Sequence, residues 1–285
     1  MRVIMTLLVR DEEDIVESNI RYHLTQGVDL VIATDHRSRD STRDILRHFE
    51  NEGVVRLIVE ESQEYAQNEW VTRMARIAHE EHGADWVVHS DADEFWFPLH
   101  GDIPEALAAV PEDIEVIRAE RHDFVPVDDD GTPLPSRMRY RKRVSLNSLG
   151  RPLPHKVAHR GHPAVSVAMG NHSVLEPEMK VEWEPARFEI MHFPMRTYEQ
   201  FSRKIAKGSD ALARNERLEE RFGATWRTLG AVHAEGGLRA HFDEAHRSEE
   251  EIREGLADGS LIEDARLVDF LISAGIIQEI QGEAD

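Results

Sequence analysis

Asp91 and Asp93 stand two residues apart in the run His-Ser-Asp-Ala-Asp-Glu that follows the apolar stretch Trp86–Val88. In an extended or tightly turning segment, side chains at i and i+2 can converge on one ion. Two carboxylates, phosphate oxygens and water suit Mg²⁺ or Mn²⁺, both of which prefer oxygen ligands. Phe95, Trp96 and Phe97 follow at once and can either wall a pocket or fill a core. Further upstream, Arg10 and Asp11 close one apolar run and Asp35 closes a second.

The elements that must position these groups are legible in the first 120 residues. Val3–Val9, Val28–Thr34, Val54–Val59 and Trp86–His89 read as strands. Asp11–Gln26, Ser41–Glu52 and Glu69–Glu81 carry apolar residues at helical spacing and read as the helices between them. Gly27 and Gly53 close the first two helices. Such alternation predicts an α/β fold with a mostly parallel sheet covered on both faces. Ligands of such sheets sit beyond the carboxyl ends of the strands. Arg10, Asp11, Asp35, Asp91 and Asp93 all fall at predicted strand ends, although Asp is also a common turn residue. The first turn reads Val-Arg-Asp-Glu-Glu-Asp and supplies no GxGxxG, and no GxxxxGK[ST] occurs anywhere. A phosphorylated ligand would need another neutralising device, and a divalent metal held by carboxylates is the obvious one.

With the segments TLLVRDEED, IATDHRSRDST and HSDADEFW in this order and spacing, the first third of the chain resembles family 2 type glycosyltransferases with a GT-A fold. The resemblance implies that a nucleotide-sugar donor binds, with Asp35 on the base or ribose and Arg10 and Asp11 lining the same cleft. It implies Asp91 and Asp93 as the metal motif, Asp93 the more direct ligand, with Mn²⁺ or Mg²⁺ bridging the diphosphate. Arg73, on the helix before the motif, either reaches the phosphates or lies on a solvated face. GT-A enzymes often complete the metal site with a later His. His192, in the strand-like run Phe-Glu-Ile-Met-His-Phe-Pro, is the expected one, with His172 in reserve. Where the family usually has an Asp-rich turn such as DDGSTD, this chain has Asp35-His36-Arg37-Ser38-Arg39-Asp40, which leaves the base open. An inverting transfer needs a base near the acceptor hydroxyl. Asp123, after a fifth strand expected at Ile114–Ala119, and Glu184 are the candidates.

Composition bounds the partners. The chain has 285 residues, no cysteine and a formal net charge of −21. The missing cysteines exclude disulfides, Cys-zinc sites and thiol catalysis, and fit a cytoplasmic protein. The acidic balance argues against nucleic acid and anionic membranes, and no run is long enough for a membrane span. Within that balance, residues 131–175 contain no acid and eight Lys or Arg. Arg137, Arg139, Arg141 and Arg143 alternate, which on a strand would put all four on one face. That block could meet an anion, either the donor diphosphate or an acidic, phosphorylated or lipid-linked acceptor, or simply be neutralised by acidic neighbours. The acceptor itself is open: glycan, lipid-linked or small molecule.

The expected organisation is a nucleotide-sugar-binding half at 1–120, an acceptor-side half at 121–215 and a helical C-terminal appendage at 216–285. The leading function is a metal-dependent, inverting glycosyltransferase. A DxD phosphatase is one rival, but it would carry its motif on the first strand. The other is a transferase-like domain that binds carbohydrate or nucleotide without turnover.

Overall fold

Val3, Met5, Leu7 and Val9 pack into one apolar cluster, while Ile4 packs into another. Successive strand residues face opposite sides of a sheet, so this strand is buried on both faces. In the computed structural model, which describes residues 1–129, 132, 134–147, 150–182, 187–214 and 224–278, it is β1 (Val3–Val9) of an eight-stranded sheet. Its companions are β2 (Leu30–His36), β3 (Val55–Glu60), β4 (Trp86–Asp91), β5 (Glu94–Pro98) and β6 (Val116–Asp123). A short β7 (Tyr140–Lys142) lies outside the sheet, and β8 (Lys156–Arg160) lies within it. β9 (Ser166–Val167) and β10 (Val174–Glu176) form a ribbon, β11 (Phe188–His192) joins the sheet, and β12 (Leu261–Glu263) pairs with β7.

The strand order is β3-β2-β1-β4-β8-β6-β11-β5. β3, β2, β1 and β4 run parallel; β8 opposes β4 and β6, β6 and β11 run parallel, and β5 opposes β11. The sheet is therefore mostly parallel, and β1, β2, β4, β6 and β11 end at the same edge. Helices α1 (Val16–Thr25), α2 (Thr42–Asn51) and α3 (Gln67–Glu80) connect the first four strands. Later come α4 (Ile103–Ala108), α5 (Leu134–Arg137), α6 (Tyr198–Arg214), α7 (Ala224–Ala234), α8 (Leu238–Ala245), α9 (Glu249–Asp258) and α10 (Arg266–Ser273). Gly208 of α6 lets α7 approach: a Cβ there would lie 2.2 Å from the Trp226 ring. Among the described residues, no helix is long and apolar enough to cross a membrane.

Several expectations needed revision. The first helix starts at Val16 rather than Asp11, because Asp11 takes a left-handed backbone (φ 56°) that a helix does not admit. β5 was not foreseen, and it explains the aromatic triplet: Phe95 and Trp96 are fully buried core. The four arginines do not share a strand face. Arg137 ends α5 and only Arg141 lies on β7. Arg137 pairs with Asp129 (2.5 Å), Arg139 with Glu263 (3.7 Å) and Arg141 with Asp264 (2.7 Å), while Arg143 donates to the Gly259 carbonyl. Arg139 and Arg141 are thus neutralised by the acidic C-terminal part, whereas Arg137 and Lys156 of the same block pair with acids elsewhere. In that part Leu261 and Ile262 form β12 rather than helix, and Leu267 and Leu271 of α10 join the main apolar cluster.

Candidate active site

Parallel register brings the chemistry-bearing residues to one edge. Leu8 pairs with Asp91, Val9 with Asp35, and His192 with Asp123. Asp93 sits in the turn between β4 and β5. Phe193 N donates to the Asp93 carbonyl (2.8 Å) and Phe124 N to the His192 carbonyl (2.8 Å), which fastens that turn to the ends of β6 and β11. These ends floor a cleft of about 900 Å³ lined by Arg10, Asp11, Asp91, Asp93, Asp123 and His192.

Asp93 is the most enclosed of these acids. Its Oδ2 meets Lys204 Nζ at 2.5 Å, Arg196 Nη1 at 3.7 Å and His192 Nε2 at 3.9 Å. Burial alone would raise its carboxyl pKa, but Lys204, His192 and Arg196 together hold it well below the usual range. Lys204 also lies 3.3 Å from Glu12, and Arg196, with no exposed side chain, pairs with Glu12 and with Asp14 (2.7 Å). Burial dominates at Glu12 and raises its pKa. Asp91 instead meets Lys156 (2.5 Å), which also reaches Glu94 (3.0 Å). Asp11 accepts from Arg39 N (2.7 Å) and pairs with Lys207. His172 also lines the cleft, its Nδ1 lies 2.8 Å from the His155 carbonyl, and burial pushes its pKa down to about 3.

His192 Nδ1 lies 2.7 Å from Asp123 Oδ1, which orients the opposite nitrogen toward Asp93. A carboxylate behind a histidine in this way is the usual support of a metal-bound imidazole. His192 Nε2 and Asp93 Oδ2 lie 3.9 Å apart, wider than the roughly 3 Å between neighbouring octahedral donors at about 2.1 Å, so a shared cation would need the two side chains to draw together. Among the described residues no three His, Asp or Glu side chains converge as a ready-made cage. Two protein donors completed by water and phosphate oxygens is nevertheless the way Mg²⁺ is commonly held. Asp93 and His192 are thus the two side chains that could hold a divalent cation, while Asp91 is paired with Lys156.

Not every expected residue faces the cleft. Asp35 is fully buried at the end of β2, where its carboxylate takes Arg43 Nε (2.6 Å) and Ser38 N (3.3 Å); its neighbour His36 lines the cleft. Arg73 lies on the exposed side of α3, 3.4 Å from Glu60, and is not among the cleft-lining residues. Glu184 lies outside the described residues. Sequence reasoning placed Lys156 only within the acid-free block that could meet an anion, and missed Arg196, Lys204 and Lys207. Their one signal was spacing: Lys204 and Lys207 are three apart on α6 and so share a helix face.

The sequence matches the profile of glycosyltransferase family 92 over residues 8–204. The chain belongs to glycosyltransferase family 92. The enzyme is thus a glycosyltransferase, which answers the phosphatase and binding-domain alternatives and replaces the family 2 resemblance with family 92. No curated protein matches this family 92 sequence. Among solved structures, it is similar to Staphylococcus aureus TarS 1-349 in complex with UDP-GlcNAc (11% identity, 90% of this chain and 92% of that one, TM-score 0.43). The UDP complex of TarS 1-349 gives 14% identity over 85% of this chain and 72% of that one, at a TM-score of 0.40. Glucosyl-3-phosphoglycerate synthase from Mycobacterium tuberculosis, in complex with Mg²⁺ and UDP, gives 18% identity over 42% of this chain and 43% of that one, at a TM-score of 0.31. At these scores the likenesses are loose, and the family assignment rests on the sequence match.

Proposed function

We propose that this enzyme moves a sugar from a nucleotide-diphosphate-sugar to an acceptor hydroxyl, with inversion, assisted by Mn²⁺ or Mg²⁺ held at Asp93 and His192. The observation that carries the reading is the row Asp93, His192, Asp123 at the edge of a parallel sheet, with His192 braced from behind at 2.7 Å. When bound, the cation supplies Lewis-acid neutralisation of the diphosphate. Asp11 and Arg10 line the nucleotide end, and Asp35 buttresses the turn at Ser38 and holds Arg43 of α2.

In the transfer, the acceptor oxygen bonds to the anomeric carbon while the bond from that carbon to the diphosphate oxygen breaks. The electron pair leaves with the diphosphate, and the hydroxyl proton passes to a carboxylate. Of the two expected bases, Asp123 lines the cleft. Its Oδ1 keeps His192 in place and its other oxygen takes the proton.

A panel of nucleotide-sugars screened for thermal stabilisation with and without Mn²⁺ tests this reading. The expected result is a metal-dependent shift with one donor, followed by slow nucleotide release, both lost in Asp93→Ala. If Asp93→Ala keeps both, the site assignment is wrong.

A further inference from the structure

The same carboxylate oxygen that faces His192 is already taken. Lys204 Nζ sits 2.5 Å from Asp93 Oδ2, and no other cation lies as close to it among the described contacts. A divalent ion bound at that oxygen would stand directly beside the ammonium. Held within a few ångströms, they would repel strongly in a site this enclosed. Lys204 is suited to yield: its charge is a compact head on a flexible four-carbon stem. The helix beneath it is not free to leave, because Phe201 and Ile205 of α6 are buried against Leu229 and Phe242. When the ammonium lets go of Asp93, its remaining carboxylate neighbour is Glu12, whose Oε1 it meets at 3.3 Å while Arg196 holds Oε2. A diphosphate in the cleft is the stronger acceptor within reach of a residue that lines it.

We propose that Lys204 is a resident counter-cation of Asp93, which surrenders the carboxylate to the divalent ion and then binds the donor diphosphate as it leaves. The proposal rests on the reading of Asp93 and His192 as the holders of the ion. It gives one residue two successive partners of like charge. The cleft acids thereby stay neutralised before the ion arrives, and the leaving group gains a cation afterwards. Lys207, three residues on, provides the internal comparison. It faces the cleft from the same helix but is paired with Asp11, which is not a proposed ligand.

The test uses the full chain and two probes that need no knowledge of donor or acceptor: Mn²⁺ alone, read by electron paramagnetic resonance of the free ion, and inorganic pyrophosphate at saturating Mn²⁺, read by calorimetry. Lys204→Met should tighten Mn²⁺ binding about tenfold and weaken pyrophosphate binding about tenfold, opposite signs that a merely structural lysine would not give. Lys207→Met should leave Mn²⁺ affinity unchanged. Lys204→Gln keeps a polar side chain and should behave as Lys204→Met does, which covers the case in which the methionine variant does not fold. Equal Mn²⁺ affinity in the unaltered chain and both Lys204 variants overturns the proposal while leaving the metal site standing. Unchanged pyrophosphate affinity overturns its second half. Mn²⁺ binding that survives Asp93→Asn overturns the metal-site reading itself and this proposal with it, as does an absence of Mn²⁺ binding throughout.

Discussion

His192 and Asp123 are register partners on adjacent parallel strands, and their side chains meet at 2.7 Å between Nδ1 and Oδ1. Strand pairing, and not a flexible loop, therefore sets the orientation of the imidazole. Removing the charge that braces it should weaken metal binding about 10- to 100-fold. Asp123→Asn should show this in an Mn²⁺ titration of the free chain. If Asp123 is also the base, the loss of kcat persists at saturating Mn²⁺. Full rescue by added Mn²⁺ would reduce Asp123 to a positioning residue and send the search for the base elsewhere.

The buried histidines make a separate prediction about pH. Burial pushes the pKa of His23 and of His159 down to about 4, and that of His89 well below the ordinary value, and all three side chains are inaccessible. An unfolded histidine titrates near 6.5. Between about pH 6.5 and about pH 4 the unfolded chain binds protons that the folded chain refuses, so stability falls as pH falls through that window. Each group contributes at most about 1.4 kcal/mol per pH unit. The paired carboxylates act lower. Glu189, held down to about 2 by the neighbouring His122 and by a hydrogen bond from Arg266 against its burial, loses its contribution only as the pH falls below the ordinary carboxylate value. Urea midpoints measured from pH 7 to pH 4.5 should decline, and His159→Gln should shallow the slope. A flat profile contradicts the assignment.

Phe95 lies next to the proposed ligand turn yet belongs to the core, edge-on to Tyr22 and to Phe193. Phe95→Ala should cost about 3–5 kcal/mol in denaturant unfolding. An alanine variant that keeps its stability but loses donor affinity would return Phe95 to the role of a pocket wall.

These residues also show where sequence reading works. β1 runs from Val3 to Val9 as expected, because a strand buried on both faces writes itself as an uninterrupted apolar run. The strand-end acids were legible for the same reason: the strands locate their own ends. β5 was not, since three aromatics in a row serve a wall as well as a core, and only the antiparallel partner β11 decides between them. Lys204 and Lys207 were illegible for a different cause. A lysine on an amphipathic helix reads as solvated, and what turns these two inward is the placement of α6 over strand ends more than a hundred residues earlier. The arginine block was read as alternating on one strand, but α5 and the turn after it break the period.

Asp264 is where that block meets the C-terminal part, and it ranks the outcomes of two substitutions. Its carboxylate, almost wholly buried, takes Arg141 Nε at 2.7 Å and Arg266 at 2.6 and 2.8 Å, while its backbone N–H donates to the Arg139 carbonyl at 2.7 Å. Arg141→Ala leaves Asp264 still paired with Arg266, so the loss is of one charged hydrogen bond, about 1.5–3 kcal/mol. Asp264→Ala strands Arg141, whose side chain is only 12% exposed, and also frees Arg266, which retains Glu189 at 2.6 Å. An uncompensated, mostly buried charge costs about 3–5 kcal/mol. Asp264→Ala should therefore destabilise more than Arg141→Ala in urea unfolding. In the double variant the second substitution should cost less than it does alone, since each removes the partner that the other strands. If the two losses are equal and additive, the arginines are held by something other than Asp264, and the acidic C-terminal part is not what neutralises Arg141.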